Sequence, residues 1–216
     1  MRADHVAVPE ATPPTRLPRP VAFLDESYEY SPDGSREPVY VLAAVIIDGR
    51  VDEARTAARA LVAPEVEYHT TELYQQGRVE AIHAMLTHVR EQAGWSVVAI
   101  KSPYEGHADL ARQRCLRELL VDLSGRKVSR AVLDSRIQPA AHDPEVMNKQ
   151  DLRTVRSLRS DGLIHRHFGV SHVTDAEEPL LWLPDGVAWS VRRALAVDDN
   201  DHYELVRSVT TLLIVD

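Results

Sequence analysis

The sequence predicts an α/β domain: one mixed β-sheet with an N-terminal antiparallel hairpin and helices on both sheet faces. Three observations lead there. Two β-branched runs, VAFLDE (residues 21–26) and VYVLAAVIID (residues 39–48), flank a turn containing Pro32, Asp33 and Gly34. In such a turn proline presets one dihedral and glycine accepts positive φ, so the pair reads as a hairpin. The second run is apolar almost throughout, as a strand covered on both faces must be. After it, helical and strand-like segments alternate to the end of the chain, which is the pattern of a sheet sandwiched by helices.

Residues 1–20 carry prolines at 9, 13, 14, 18 and 20 and no apolar periodicity. They read as an irregular tail over 1–19, ahead of a single domain over 20–216. Deleting residues 1–19 is expected to move the melting midpoint by no more than about 2 °C. A larger fall in a calorimetric scan would mean that the tail packs on the domain. Past the hairpin, residues 51–62 have helical spacing and end before the breaker Pro64. Residues 78–92 form a helix with Val79, Ile82, Met85, Leu86 and Val89 on one stripe. WSVVAIKSP is a strand, residues 107–124 a helix, and KVSRAVLDSR a strand. A helix over 149–158, a short strand over 170–174, a helix over 181–196 and a last apolar segment, TTLLIV, complete the order.

Composition removes several classes of function. Hydrophobic residues at 44% and charged residues at 27% are globular values, and no apolar run is long enough to span a bilayer. The basic-then-apolar start of a signal peptide is missing, so a cytoplasmic protein with no membrane partner is expected. One cysteine, Cys115, allows neither an internal disulfide framework nor a multi-cysteine zinc site. The His165-Arg166-His167 triplet lacks the cysteines or HExxH spacing that would make it a zinc signal. No GxxxxGK[ST] or GxGxxG loop is present, so no nucleotide cofactor is expected, and no GxSxG elbow supports a serine hydrolase. A net charge of -8 argues against coating nucleic acid through the overall field. It leaves room for a nuclease, because divalent ions held by clustered acids reverse the sign locally.

Two strands end alike, in AFLDES and AVLDSR, each placing an aspartate (Asp25, Asp134) after an apolar run. Ligands of α/β sheets collect at the carboxyl ends of strands, and Mg2+ or Mn2+ takes rigidly held carboxylates. Two such ions about 3.5–4 Å apart can hold a phosphate and activate water. A third acid, Asp185, opens the helix in LLWLPDGVAWSVRR, near the positive end of its dipole. Glu26 alternates to the other sheet face and reads as structural. In EVEYHTTELY, Glu67 and His69 are two apart and project to one side of an extended segment, as ligand or base; Glu72 is a weaker candidate. Lys149, Arg153, Arg156 and Arg159 make a basic stripe suited to a phosphate backbone, or a solvated face. Bland alternatives compete throughout: Arg130 or Arg136 for Asp134, Arg192 for Asp185, a turn for Asp25.

The DES after the first strand, EYHTTELY, the later LD at a strand end and the LWLPDGVAWSVRR helix together resemble the domain of unknown function 3800 family. The resemblance runs from about Val21 to the C-terminus. It implies a ribonuclease H-like fold, whose members are often metal-dependent nucleases or recombinases. It places the family's acids on Asp25, Asp134 and Asp185, with Glu67 and His69 in the middle motif. Tyr28 stands where the family commonly has glycine. Trp182 and Pro184 replace a glutamine and a small residue before the last aspartate.

The expectation is therefore a nuclease dependent on Mg2+ or Mn2+, hydrolysing phosphodiester bonds in nucleic acid. Asp25 bridges the metals, Asp134, Asp185 and Glu67 are terminal ligands, and His69 positions water or the leaving group. Two other classes stand beside it: a non-catalytic interaction module with the same fold, and a metal-dependent hydrolase of a small phosphorylated substrate.

Overall fold

The computed structural model describes residues 19–30, 33–63, 67–92, 94–104, 107–137 and 142–216. The tail over 1–18, Pro32 of the turn and the breaker Pro64 lie outside them. The elements in chain order are β1 (Val21–Glu29), β2 (Val39–Ile47), α1 (Val51–Val62), α2 (Thr70–Gln75), α3 (Val79–Gln92), β3 (Trp95–Lys101), α4 (Ala108–Gly125), β4 (Arg130–Asp134), α5 (Val146–Ser160), β5 (Gly169–Val173), α6 (Trp182–Val197) and β6 (Thr210–Ile214). Short 3₁₀ turns precede α6 and β6.

The strands form one mixed sheet in the order β5-β4-β1-β2-β3-β6. β1, β2 and β3 make an antiparallel meander, β4 runs parallel to β1, β5 parallel to β4, and β6 parallel to β3. The hairpin turn keeps Gly34 at φ 69°, with the Ser35 amide donating to Asp33 Oδ1 at 3.0 Å. Gly94 is required where α3 gives way to β3. Its φ is 91°, and an added Cβ would stand 3.3 Å from the Ile46 carbonyl. All nine residues of β2 are buried, as its unbroken apolar run implies.

Side-chain alternation divides the core in two. Val21 and Phe23 of β1 and Val132 of β4 join Val41, Val45 and the apolar residues of α1, α3 and α6. Ala22 and Leu24, with Ala131 and Leu133, join α4 and α5 through Leu116, Leu120, Val155 and Leu158 on the other face. Helix α6 is buried almost all round: of residues 182–191, only Asp185 is not fully covered. Both the sheet and α3 close over the helix. Among the described residues no helix is long and apolar enough to cross a membrane.

One element differs instructively from its prediction. β1 does not stop at Glu26 but runs on to Glu29, because β2 keeps pairing it as far as Glu29 opposite Val39. What stops near Asp25 is the parallel pairing to β4, whose last register is Leu24 opposite Leu133. Tyr28 is part of this extension and stacks on Tyr40 across the hairpin, ring centroids 5.8 Å apart. Asp25 and Asp134 thus lie just past the last β1–β4 pair, where the strands part.

Candidate active site

Asp25 follows the parity of Phe23 and Asp134 that of Val132, so both belong to the sheet face covered by α6. α6 brings Asp185 to the same face. The electrostatics report their proximity. Burial pushes the Asp25 carboxyl well above its usual range, and the charges of Glu26, Asp185 and Asp134 push it further; the Glu26 amide, donating to Asp25 Oδ1 at 2.7 Å, opposes them. Asp134 is pushed up to about 6 by burial, Glu26 and Asp175, against the Ser135 amide and the positive charge of Arg112.

Asp185 is raised by burial, while hydrogen bonds from Thr70 and the charge of His69 pull it down. Its Oδ2 accepts both the Thr70 amide (2.9 Å) and the Thr70 hydroxyl (2.8 Å). The aspartate therefore does not cap its own helix; it ties α6 to the first residue of α2. The prediction missed α2 because its six residues are too few for a visible stripe. Only Thr70 and Leu73 in it are buried. Thr70→Val removes the hydroxyl donor from the half-buried Asp185 carboxyl. It is expected to cost about 1.5–3 kcal/mol at neutral pH and less at acid pH, where the carboxyl takes a proton. Urea unfolding at the two pH values checks this; an equal loss at both would point to packing instead.

The cations that could have satisfied these acids in a bland way are engaged elsewhere. Arg136 Nε meets Glu26 Oε1 at 3.1 Å, and its Nη1 meets Asp109 at 3.4 Å. Arg130 packs its aliphatic stem against Gly169. Arg192 donates to Ser27 Oγ and Glu29 Oε2, both at 2.8 Å. Among the described residues, no lysine or arginine forms an ion pair with Asp25, Asp134 or Asp185.

In the middle motif, Glu67 and His69 are exposed and Tyr68 between them is buried against Trp182, as an extended segment requires. His69 Nε2 lies 3.5 Å from Asp175 Oδ2. Asp175 also raises both Asp134 and Asp185, so it is a fourth acid of the cluster that the sequence reading overlooked. The signal was present: GVSHVTD is again a short strand followed by an aspartate. Among the described residues no hydrogen bond or ion pair joins Glu67 or Glu72 to the acids.

The basic stripe lies apart. α5 packs on the opposite sheet face through Val155 and Leu158. Lys149 is paired with Asp143 at 2.8 Å, and Arg159 donates to the Phe168 carbonyl at 2.6 Å. Arg153 borders a shallow groove between α4 and α5.

Beneath the acids, on the α4–α5 face, is a buried charged chain. Glu26 bonds Arg112, whose Nη2 and Nε bond Asp151 at 2.9 and 3.2 Å, and Asp151 Oδ2 meets His172 Nε2 at 3.1 Å. Arg112 and Asp151 side chains are each 2% exposed. The predicted opposite orientation of Glu26 is what lets it anchor here.

Compared with protein-family models and with curated proteins, the chain matches none. Among the described residues no three His, Cys, Asp or Glu side chains are packed closely enough to form a ready-made metal cage. The donor set nonetheless suits a hard divalent cation. Aspartate oxygens are its preferred ligands, and these aspartates are half-buried, repel one another at Asp25 and have no lysine or arginine partner among the described residues.

Proposed function

We propose that the chain is a ribonuclease H-like, divalent-metal-dependent nuclease whose reaction centre is Asp25 with Asp134 and Asp185. The observation that carries the proposal is the combination of raised carboxyl affinities for protons and the diversion of Arg136 and Arg192 to other acids. Acids placed for structure are ordinarily paired with a cation or fully solvated; these are half-buried, and among the described residues no lysine or arginine pairs with them.

Mg2+ or Mn2+ bound here would supply an activated water and a Lewis acid for the phosphate. The protein's share is geometric. Asp25 and Asp134 sit on adjoining strands whose backbones are fixed by β2 and β5. The two Thr70 donors hold one oxygen of Asp185, leaving Oδ1 as the atom available to a ligand. Asp175 Oδ2 lies 3.5 Å from His69 Nε2 and orients the exposed ring. The imidazole stands at the open side of the site, where it can exchange a proton with a departing oxygen. The α5 stripe lies on the opposite sheet face, so a phosphate would be held chiefly by the ion that Asp25, Asp134 and Asp185 bind.

Short RNA and DNA oligonucleotides, single- and double-stranded, should be cut with millimolar Mg2+ or Mn2+ and spared in EDTA. Cleavage of a phosphorylated small molecule with all oligonucleotides untouched would favour the small-substrate hydrolase. Metal-independent inertness toward every substrate would favour the interaction module.

A further inference from the structure

A second concave site lies at the other end of the sheet. Pro20 leads into β1, Ser129 into β4 and Phe168 into β5, while Asp48 follows the antiparallel β2. All four border one cavity of about 560 Å³, within the usual range of small-molecule sites, roughly 300–1,000 Å³. Pro20 and Asp25 are five strand steps apart, so the cavity is about 17 Å from the acids.

Its lining is chemically mixed in a telling way. Val128 and Phe168, both buried, give an apolar floor. The rim carries the charges of Arg19 and Lys127 and the imidazoles of His165 and His167. Among the described residues no ion pair joins Arg19 or Lys127 to an acid. Lys127 occupies the left-handed turn after α4, at φ 67°. The histidine loop is fixed at several points. The His165 amide donates to Ser124 Oγ (3.0 Å), the Phe168 amide to the His165 carbonyl (2.8 Å), and the Gly169 amide to the Ser129 carbonyl (3.0 Å).

These bonds also set the tautomers. The His167 amide donates to His165 Nδ1 at 3.2 Å, so His165 carries its ring proton on Nε2. Arg166 Nε donates to His167 Nε2 at 3.1 Å, so His167 carries its proton on Nδ1. Each imidazole keeps one N–H that the loop does not use.

We infer that this cavity binds a small phosphate ester. Two full positive charges and two imidazole N–H donors around one opening suit a tetrahedral anion with several acceptor oxygens. The floor of Phe168 and Val128 suits a ring or apolar body. Asp48, the one acid on the rim among the described residues, disfavours a polyanion lying across the opening and can accept from a ligand hydroxyl or amine. The site is independent of the metal chemistry proposed for the acids.

Adenosine monophosphate is a suitable probe, titrated in EDTA so that no metal-bound phosphate is read. Binding should shift the ring resonances of His165 and His167 and give a sub-millimolar Kd by calorimetry. Adenosine should bind at least about tenfold more weakly, and Lys127→Gln and His165→Gln, both at exposed positions, should each weaken the monophosphate by about tenfold. Asp25→Asn should leave it unchanged. Equal binding of adenosine, unmoved histidine resonances, or unchanged affinity in both rim variants would overturn the assignment. A dinucleotide diester competing as strongly as the monoester would also overturn it, since the site would then be reading a nucleic-acid backbone.

Discussion

Arg112→Ala is expected to destabilise the fold by about 3–5 kcal/mol, the cost of leaving buried charges without their partner. Arg112 alone joins Glu26 of β1 to Asp151 of α5, and Asp151 in turn holds His172 of β5. Although burial opposes it, hydrogen bonds from His172 and Arg112 keep the Asp151 carboxyl below its usual range. That stabilisation is present above the ordinary carboxylate pKa and disappears as pH falls through the depressed one. The variant's deficit should therefore be largest near neutrality and shrink in acid. In a domain of this size it corresponds to a fall of roughly 6–20 °C in the melting midpoint. Replacing Arg112 and Asp151 together by apolar residues of similar volume should recover part of the loss. A single Arg112→Ala variant within about 0.5 kcal/mol of the wild type in urea unfolding would refute the reading of the chain as a buried, mutually dependent unit.

The second large effect concerns Asp25. Asp25→Asn keeps the side chain's size, and its Oδ1 can still accept the Glu26 amide. It removes one of the charges that repel each other at the site. Cleavage should fall to background, while the metal-free fold should be as stable as the wild type or slightly more so. The pH dependence follows from the raised carboxyls. A raised folded-state pKa means that the folded chain holds a proton the unfolded chain releases. Stability from this source is full below the ordinary value of 3.8 and is lost as pH rises through the folded value, about 6 for Asp134. In EDTA the wild type should thus lose stability between about pH 4 and 6 and beyond, and Asp25→Asn should show a shallower loss. If the variant is instead less stable at neutral pH, Asp25 serves the fold.

What the sequence made legible was decided by local patterns. β2 could be read because a strand covered on both faces has no polar alternation to obscure it. Asp25 and Asp134 could be read because each breaks an apolar run. That they share a sheet face depends on the pairing of Leu24 with Leu133, a long-range register that no local pattern encodes. The same limit explains the α5 stripe. Periodicity identifies Val155 and Leu158 as the buried side of the helix, but not which face of the sheet they cover. Arg112 was invisible for a different reason. An arginine within ARQRC reads as solvated, since charged residues are almost never fully buried unless paired, and its partners lie 39 and 86 positions away. Asp175 was overlooked because Ser171, His172 and Thr174 interrupt the run before it, so it does not break an apolar strand as Asp25 and Asp134 do.

On the proposed function, Asp25, Asp134 and Asp185 await a divalent cation rather than a protein partner. Thermal melts of the wild type and Asp25→Asn at neutral pH, in EDTA and in millimolar Mn2+, test it most directly. At a hundredfold excess over Kd, a ligand that binds only the folded state contributes about 2.7 kcal/mol, or roughly 5–10 °C here. Mn2+ should raise the wild-type midpoint by that order and leave Asp25→Asn where it melts in EDTA. A wild-type midpoint indifferent to Mn2+, together with a lower midpoint in the variant, would contradict the account.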